Sequence, residues 1–378
     1  MLPKRKVALF STSFLPYSQT FIHDEIKAHS NRYDISVFCK DRQNEDIFPF
    51  DNCYKPEGKL AEKIYQNIAY WPKFDKIFQK NNFDLIHAHF GTGAIYALPY
   101  VKKYKIPFIV TFHGNDVASL IGRQRFFPKR WRYTLKSKQI FQLMDLGLAV
   151  SPELISMLTE LGCDNEKLEL FRLGINLNKF KPTPKPPTNT LKFLLIGRFT
   201  EKKGHIYALK AFEQVIQQGY SAHLSFIGDG GLMEDCITFV KEKGLEKSVF
   251  FLGIKQPHEV QNHINNSHIL LVPSVVAKDG DREGLPTVIK EANACGIPAV
   301  GTYHAGIPEL IQDNYSGFLV EERSVEQLLD KMVYFLENPE IIDEFGANAR
   351  AIIEKEYDIS KEVTRLETYY ESILSDQQ

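Results

Sequence analysis

The sequence predicts an α/β protein with two domains, each a doubly wound, Rossmann-like parallel sheet. Three observations support this fold class. A chain of 378 residues is longer than a single hydrophobic core usually supports. Short apolar runs alternate with amphipathic helical patterns along the whole chain, which is typical of parallel sheets joined by helical crossovers. A proline-rich break near the middle divides these runs into two sets.

The strands are predicted from ten short apolar runs. Two of them, FLLI and ILLV, are apolar on both faces, which indicates sheets that are covered by helices on both sides. A representative helix is ALKAFEQVIQQG (208–219), in which Gly219 stands where a helix stop is expected. The ten runs lie at 6–10, 34–38, 84–90, 107–113, 146–151, 191–197, 223–228, 249–253, 268–274 and 298–302.

The domain boundaries are predicted from the segment KFKPTPKPPTNT (179–190). Its four prolines, and the lack of apolar residues after Phe180, are typical of an extended linker. Ligands of such sheets bind beyond the carboxyl ends of the strands, so two facing domains would enclose an interdomain cleft. The apolar stripe of the final helix predicts that it returns to the first domain. The expected parts are a first domain at 1–180, a linker at 181–190, a second domain at 191–357 and the returning helix at 358–378.

The charge is distributed unevenly, although the formal net charge is only −1. Residues 1–180 hold 26 lysines and arginines against 18 acids, whereas residues 181–378 hold 20 against 29. The basic first half indicates an anionic partner. The alternative is an uneven sharing of charge over solvated faces.

Cysteine usage and hydropathy predict a soluble cytoplasmic protein. The five cysteines are scattered without a CxxC pair, a pattern typical of reduced thiols rather than of disulfides or a zinc site. The apolar run after the basic start is too short for a signal peptide. No stretch approaches the ~18–20 apolar residues of a membrane-spanning helix. Any membrane contact is therefore expected to be peripheral.

The stretch DGDREGLPTVIKEANACGIPAVGTYHAGIPELI (279–311) carries two glutamates that suit a diphosphate flanked by two sugars. Eight steps separate Glu283 from Glu291, and on a helix these span at most ~12 Å. Pro286 suits the start of a helix and Gly296 its stop. Carboxylates can hold vicinal hydroxyls, and amides at a helix start can meet phosphate. The alternative is an unrelated pair, since glutamates at this spacing are common.

The segment LLIGRFTEKKGHIYALKAF (194–212) supplies cations after a predicted strand. Arg198 offers a planar fork and Lys203 a mobile point charge, which together suit a diphosphate leaving group. The turn FIGDGG (226–231), which contains Gly228, would let backbone approach a nucleotide closely, although it does not match GxGxxG. A solvated basic loop and a turn without a ligand are the alternatives.

These motifs resemble the carboxyl-terminal domain of the family-4 retaining glycosyltransferases, which have the GT-B fold. The set spans nearly the whole chain in order and is most similar to the branch that builds colanic-acid-type exopolysaccharides. It is specific for the family rather than for a donor or acceptor. The resemblance is carried by EGLPTVIKE, CGIPAVGT, GIPELI and IGRFTEKKG, and in the first half by FLPYSQTFIHDEI (14–26), IHAHFG (86–91), TFHGNDV (111–117) and RLGINLNKF (172–180).

For the second domain the resemblance implies roles in donor binding at several matching positions. Arg198 and Lys203 would bind the donor diphosphate, and Glu283 would bind the hydroxyls of the donor sugar. Glu291 would bind the ribose. The amides of Gly284 and Leu285, next to Pro286, would contact phosphate, and the turn at Gly253 and Ile254 would lie against the base.

For the first domain the resemblance implies fewer contacts. His113 of HGND would lie beside the donor sugar. Ser18 and Thr20 fall in the first βα loop, which often closes over the phosphates. Many relatives carry a GG pair in this loop, whereas SQT stands in its place here.

Two other patterns are weaker candidates for metal sites. Asp279 and Asp281 spell DxD, the metal motif of a different glycosyltransferase fold, but here they precede the Glu283 loop. His87 and His89 alternate on one strand and are expected to orient loops or fill a core edge. We therefore expect no metal and no cofactor, with the nucleotide-sugar as a substrate.

Residues 121–140 hold seven cations and no acid, with four aromatic residues interleaved. This combination suits an anionic membrane surface or a lipid-diphosphate acceptor. The residues expected to form this patch include Arg123, Arg125, Lys129 and Arg130. Nucleic acid is the rival partner, but no nucleic-acid-binding module accompanies the stretch. The alternative is a basic helix face whose aromatic residues lie in the core.

Together these expectations describe a cytoplasmic hexosyltransferase, peripheral on the inner face of the membrane, that prefers a UDP-sugar. It would transfer the hexose with retention to a lipid-linked or polysaccharide acceptor of the cell envelope. The alternatives are a nucleotide-sugar epimerase or phosphorylase of the same architecture, and a non-catalytic scaffold of a polysaccharide assembly complex. A phosphorylase would need a lysine-bound pyridoxal cofactor. A dehydrogenase is disfavoured because no GxGxxG follows the first strand.

Overall fold

The computed structural model describes residues 4–16, 19–121, 128–184 and 190–375. The chain forms two compact units, each built around one parallel sheet. The first unit contains residues 1–174 together with 359–378, and the second contains residues 175–358. None of the helices in the described ranges combines the length and apolar character needed to cross a bilayer.

The first unit is a seven-stranded parallel sheet with helices packed against it. Its strands are β1 (Arg5–Phe14), β2 (Tyr33–Arg42), β3 (Cys53–Tyr54), β4 (Leu85–His89), β5 (Phe108–Phe112), β6 (Leu146–Ala149) and β7 (Leu168–Leu170). Its helices are α1 (Thr20–His29), α2 (Lys59–Ile68), α3 (Pro72–Asn81), α4 (Gly91–Tyr104), α5 (Asn115–Ala118), α6 (Pro128–Leu143), α7 (Pro152–Glu160) and α15 (Ile359–Ser375). Every residue of β4, β5 and β6 is buried, which requires cover on both faces of the sheet.

The second unit is a six-stranded parallel sheet of the same kind. Its strands are β8 (Leu191–Ile196), β9 (Ala222–Ile227), β10 (Val249–Phe251), β11 (Ile269–Val272), β12 (Ala299–Thr302) and β13 (Gly317–Val320). Its helices are α8 (His205–Gln217), α9 (Met233–Glu242), α10 (Pro257–Asn265), α11 (Thr287–Ala294), α12 (Ile307–Leu310), α13 (Val325–Glu337) and α14 (Ile341–Glu356). The strands β11, β12 and β13 are buried throughout.

Both sheets reverse their direction of winding at one point. The strand orders are β3-β2-β1-β4-β5-β6-β7 and β10-β9-β8-β11-β12-β13, so the reversals fall between β1 and β4 and between β8 and β11. In open α/β sheets, ligands bind beyond the carboxyl ends of the strands at such a reversal. His89 ends β4 and Gly197 follows β8. The predicted pair of doubly wound sheets is confirmed, and it places motifs of both halves at these crevices.

Three strands come from segments without a predicted strand. These are β3, β7 and β13, which lie at sheet edges and are two, three and four residues long. Runs this short show no recognisable periodicity in the sequence. Only their pairing with a longer neighbour identifies them as strands.

The division between the units lies at residue 174, before the predicted domain end at 180. Ile175 forms an isolated parallel bridge with Asp358, and both residues belong to the second unit. Phe180 is buried in the core of that unit as well. The proline-rich segment therefore follows the boundary rather than forming it, because the apolar residues before it belong to the second core.

The last helix, α15, packs on the first unit. Leu366 and Tyr370 are part of its hydrophobic core. The Glu367 carboxylate forms an ion pair with Arg32. The helix begins at Ile359, one residue after the expected start.

Candidate functional site

Two loops that are 80 residues apart in the chain meet at the end of β8. Nζ of Lys203 lies 3.1 Å from Oε2 of Glu283. The lysine stem crosses Gly197, where an added Cβ would lie 3.0 Å from the Cδ of Lys203. A larger residue at 197 would therefore displace the lysine. The structure brings together two charges that the sequence places in separate motifs.

A second lysine holds the same glutamate. Nζ of Lys202 lies 3.7 Å from Oε1 of Glu283 and 3.2 Å from Oδ1 of Asp281. Burial raises the pKa of the Glu283 carboxyl, but the charges of Lys203 and Lys202 outweigh it and hold this pKa below its usual value. Glu283 is therefore ionised at neutral pH. Asp281 of the DxD pattern is paired with a cation.

His304 fixes the backbone of this loop. Its Nε2 accepts a hydrogen bond from the Glu283 amide at 3.1 Å, and its Nδ1 lies 2.6 Å from Oε1 of Glu322. Because Nε2 accepts, Nδ1 carries the proton and donates to Glu322. Neither residue was a sequence candidate. The only available signal was the position of His304 in GTYHAG, immediately before the GIPELI motif.

The helix after Glu283 begins and ends as predicted. Pro286 directly precedes α11, and Gly296 follows its last turn with a φ of +71°. No residue in the described ranges accepts a hydrogen bond from the amides of Gly284 or Leu285. These amides are thus available to an anion at the helix start. Glu291 lies within α11 and is half-buried.

The other predicted donor residues lie on turns after β8, β9 and β10. Arg198 is exposed. Gly228 has a φ of +136°, and an added Cβ would lie 2.1 Å from the carbonyl oxygen of Gly197. The Gly228 amide donates to the carbonyl of Gly253 at 2.9 Å, and the neighbouring Ile254 is 66% exposed. An exposed apolar side chain on a fixed turn suits packing against a planar base.

In the first unit His113 follows β5 on a tightly held turn. The buried Asp116 carboxylate accepts hydrogen bonds from the amides of Gly91 at 2.8 Å and His113 at 3.1 Å. The Asp116 carboxylate thus connects the turn after β4 to the turn after β5. The His113 ring packs against the rings of Phe90 and Phe21, whose centroids lie 4.1 and 5.1 Å away.

A cluster of buried polar side chains lies next to His113. Nδ1 of His87 is 2.7 Å from the hydroxyl of Tyr370, and Nε2 is 2.7 Å from Oγ1 of Thr111. Burial lowers the pKa of His87 well below its usual value, so this ring is neutral. The ring of His89 lies beside it, with the two centroids 4.6 Å apart.

His89 connects two further residues. Its Nε2 lies 3.2 Å from Oε1 of Glu25, and its Nδ1 lies 3.2 Å from Nε2 of His113. The first contact is short, but the ring N–H does not point straight at the carboxylate oxygen. Such contacts often tighten when substrate binds.

Glu25, His87 and His89 are also a candidate metal centre. Within the described ranges their ligand atoms lie within 4.8 Å of one another. A metal ion needs a lone pair from each ligand, and both nitrogens of His87 already engage hydroxyls. Metal binding would break one of these hydrogen bonds. The geometry therefore fits a hydrogen-bond network better than a metal centre.

Several predicted residues can be placed only in part. Those outside the described residues are Ser18, Arg123 and Arg125. Those described only through their helical backbone are Thr20 in α1 and Lys129 and Arg130 in α6.

An exposed apolar face adjoins the basic stretch. The guanidinium of Arg132 on α6 donates to the carbonyl of Gln66 on α2, so the two helices are neighbours. Tyr133 is buried, in line with the alternative that the aromatic residues fill the core, whereas Trp131 is not. Exposed lysines flank the face at Lys59, Lys63, Lys136 and Lys138. The exposed apolar residues of these two helices, together called the apolar face, are Leu60, Ile64 and Ile68 of α2 and Trp131 and Leu135 of α6, which are 40–73% exposed.

Known proteins match both halves of the chain. The family described as Glycosyltransferase Family 4 matches residues 18–179, and the family described as Glycosyl transferases group 1 matches residues 178–352. A protein of Escherichia coli K12, named provisionally as colanic acid biosynthesis glycosyltransferase WcaL, is 33% identical over 75% of this chain and 69% of WcaL. This chain belongs to the family-4 glycosyltransferases. The glycosyltransferase is also 31% identical to amylovoran biosynthesis glycosyltransferase AmsK of Erwinia amylovora, over 72% of this chain and 66% of AmsK. It spans about two thirds of the length of these relatives.

A solved structure supports the fold of this glycosyltransferase. HepE from Anabaena, solved in complex with UDP, superposes with a TM-score of 0.78 over 97% of this chain and 100% of HepE. The two are 17% identical, so the likeness establishes the fold alone. The predicted GT-B fold and family are confirmed.

Proposed function

We propose that this glycosyltransferase moves a hexose from a UDP-sugar to an acceptor and retains the configuration at the anomeric carbon. The observation that carries the proposal is the Lys203–Glu283 pair beyond β8, with the exposed Arg198 on the same loop. Two cations suit a diphosphate, and an ionised carboxylate suits sugar hydroxyls. UDP is favoured over GDP because HepE was solved with UDP and because UDP-sugars are frequent in the family.

The donor would be held mainly by the second unit. Glu283 accepts hydrogen bonds from the sugar hydroxyls, and the amides of Gly284 and Leu285 meet the diphosphate at the start of α11. Glu291 accepts from the ribose. The base packs on Ile254.

Catalysis would be electrostatic. As the bond from the anomeric carbon to the phosphate oxygen breaks, negative charge grows on the departing diphosphate. Arg198 and Lys203 offset this charge from fixed positions, which is how preorganised donors lower a barrier. Because these cations and the helix start can supply that stabilisation, the transfer needs no metal ion. Turnover that is unchanged in EDTA is the expected result, and its loss would require a metal.

The donor assignment is tested by thermal unfolding with UDP, GDP and their hexose conjugates. A ligand at 100 times its dissociation constant adds ~2.7 kcal/mol of stability. We expect UDP and at least one UDP-hexose to stabilise the protein, and Glu291→Ala to raise the dissociation constant about tenfold through loss of a ribose contact. The matched control is Glu344→Ala, an exposed glutamate on α14.

Product analysis then separates the candidate activities. A transferase releases UDP slowly without acceptor and faster with one. An epimerase would interconvert the sugars while UDP stayed attached, and a scaffold would do neither. No stabilisation by any nucleotide-sugar would refute the donor site.

We infer further that the acceptor is a lipid-linked or polysaccharide glycan of the cell envelope, reached at the inner face of the cytoplasmic membrane. WcaL and AmsK are named for colanic acid and amylovoran biosynthesis. The apolar face of α2 and α6, flanked by lysines, fits an interfacial site on anionic lipid. Each cation near such a surface contributes ~1 kcal/mol.

Flotation with lipid vesicles tests this docking. We expect salt-sensitive binding to vesicles that contain phosphatidylglycerol and weak binding to phosphatidylcholine alone. The triple change Leu60→Ser, Ile64→Ser and Ile68→Ser should reduce binding, whereas Tyr334→Ser, an exposed aromatic residue of the second unit, should not. Equal binding to both lipids, or no binding at low salt, would show that the apolar face of α2 and α6 does not dock on anionic membranes.

A further inference from the structure

Three side chains from separate segments form a chain of contacts at the end of β4. Glu25 belongs to α1, His89 ends β4, and His113 follows β5. Each of the two links is 3.2 Å long, from Glu25 to His89 and from His89 to His113. The three residues are 6%, 0% and 9% exposed. This series of contacts thus connects the buried carboxyl group of Glu25 to His113, which lies at the carboxyl edge of the sheet.

The position of the Glu25 carboxyl group favours one arrangement of protons on the rings of His89 and His113. A carboxyl oxygen of Glu25 lies 3.2 Å from Nε2 of His89 and favours a proton on that nitrogen, because two lone pairs at this distance repel. In a neutral imidazole the other nitrogen, Nδ1, then accepts. Nε2 of His113 must therefore donate to it, which leaves the lone pair of His113 on Nδ1.

The orientation of His113 is fixed as well as its tautomer. The Phe90 and Phe21 rings pack on it, and its amide is bound by Asp116. A histidine that only filled the core would need neither a buried carboxylate nor a second histidine behind it. Burying such groups costs free energy unless they are paired.

We propose that Glu25 and His89 are positioning residues that hold His113 as its Nε2–H tautomer, with Nδ1 as the hydrogen-bond acceptor. This proposal rests on the transferase function proposed above, and it assigns Nδ1 of His113 to a hydroxyl of a sugar substrate. Glu25 acts through His89 and contacts no substrate itself. In the other tautomer Nδ1 of His113 would carry a proton and could not accept a hydrogen bond from the sugar hydroxyl.

The test is Glu25→Gln, which keeps the size of the side chain and removes its charge. An amide can face His89 with either its oxygen or its nitrogen, so the single tautomer is no longer enforced. The ring nitrogens are observed by ¹⁵N NMR on protein labelled at histidine, with the His113 signals assigned from their absence in His113→Gln. We expect one Nε2–H form in the parent and a mixed or reversed form in Glu25→Gln.

Kinetics provide the second readout. We expect kcat to fall about 10²-fold in Glu25→Gln, the size of effect that a small misplacement of a reacting group can cause. The dissociation constant for the nucleotide should stay unchanged, because the second unit would bind it. The matched control is Glu367→Gln, a glutamate that is 6% exposed with its Oε1 3.5 Å from Nδ1 of His29. It should keep its kcat and the His113 tautomer.

The outcomes are separable. The same His113 tautomer in the parent and in Glu25→Gln, or an equal loss of kcat in Glu367→Gln, would overturn the positioning role. If the parent transfers no sugar from any donor, the proposed function fails. The NMR result still decides the tautomer, because that readout needs no activity.

Discussion

The polar groups of the two units differ in exposure and in the way they are paired. In the second unit Lys203 and Glu283 form an ion pair, with side chains that are 17% and 10% exposed, and Arg198 is exposed beside them. In the first unit His87 and His89 are fully buried and bound mainly to uncharged partners.

This difference separates two tasks. Charges that must meet a ligand have to stay accessible, because a fully sealed ion pair pays a desolvation cost without contacting substrate. Groups that only set the position of another side chain can be fully buried. The low dielectric constant of the protein interior then strengthens their hydrogen bonds. We therefore expect changes in the second unit to affect turnover first, and changes in the first unit to affect stability as well.

The largest expected effect is on turnover in the second unit. Lys203→Ala removes a cation from the departing diphosphate, and losing one such donor typically lowers kcat by ~10²–10³-fold. The fold should survive, because Glu283 keeps Lys202 as a partner. Lys210→Ala, an exposed lysine of α8, is the control in the same assay. Near-normal turnover in Lys203→Ala would show that the lysine has no part in the mechanism. It would also contradict the expectation that changes in the second unit affect turnover first.

The second prediction is that mild acid weakens the first unit before it affects the donor site. Burial lowers the pKa of His87, so below about pH 6.5 the unfolded chain takes up a proton that the folded chain does not. Stability is therefore complete above that pH and falls as the pH drops, by at most ~1.4 kcal/mol per unit for each such histidine. The lowered pKa of Glu283 keeps its ion pairs intact until the pH falls below about 4.5.

Tryptophan emission isolates the first unit in this experiment. The two tryptophans, Trp71 and Trp131, both lie in it. Between pH 6.5 and 5 we expect the denaturant midpoint followed by their emission to fall, while UDP-hexose affinity at low denaturant stays within about twofold. His205 of the second unit, whose pKa burial lowers to about 3, contributes a similar loss there that this emission does not report. A midpoint that does not change with pH would contradict the neutral, sealed state of His87.

The third prediction concerns the stability of the first unit in Tyr370→Phe. This substitution removes the hydroxyl that lies 2.7 Å from Nδ1 of His87, and leaving a buried polar group unpaired costs ~1–3 kcal/mol. Unfolding followed by tryptophan emission measures the loss, and nucleotide affinity should not change. Tyr369→Phe is the matched control, because the Tyr369 hydroxyl bonds to exposed partners. An equal loss of unfolding free energy in both variants would show that the buried hydrogen bond to His87 stabilises the protein no more than an exposed one.

The second-unit site could be predicted largely from the sequence because its residues stand in contiguous motifs. Arg198 and Lys203 follow one strand, and Glu283 and Glu291 flank the start of one helix. His304 could not be predicted in the same way. It acts on the backbone of Glu283 from a third segment, and only the folded loop shows that contact.

The first-unit network was predictable only in fragments. Glu25, His89 and His113 each lie in a motif that resembles the family, but no spacing in the sequence joins them. Their contact depends on the strand order, which places β4 between β1 and β5. The shifted domain boundary has a different cause, since a proline-rich sequence predicts an extended segment and not the point where one core ends.

The place of α15 in the fold determines the order in which the two units can be completed during synthesis. Leu366 and Tyr370 fill the core of the first unit, yet the ribosome adds them after the whole of the second unit. The second unit is continuous from 175 to 358 and can close its core as soon as it has emerged. The first unit is made earlier, but it lacks Leu366 and Tyr370, and His87 lacks its tyrosine partner, until α15 has been made. The unit that is made earlier is thus completed later, and until then part of its apolar core has no cover.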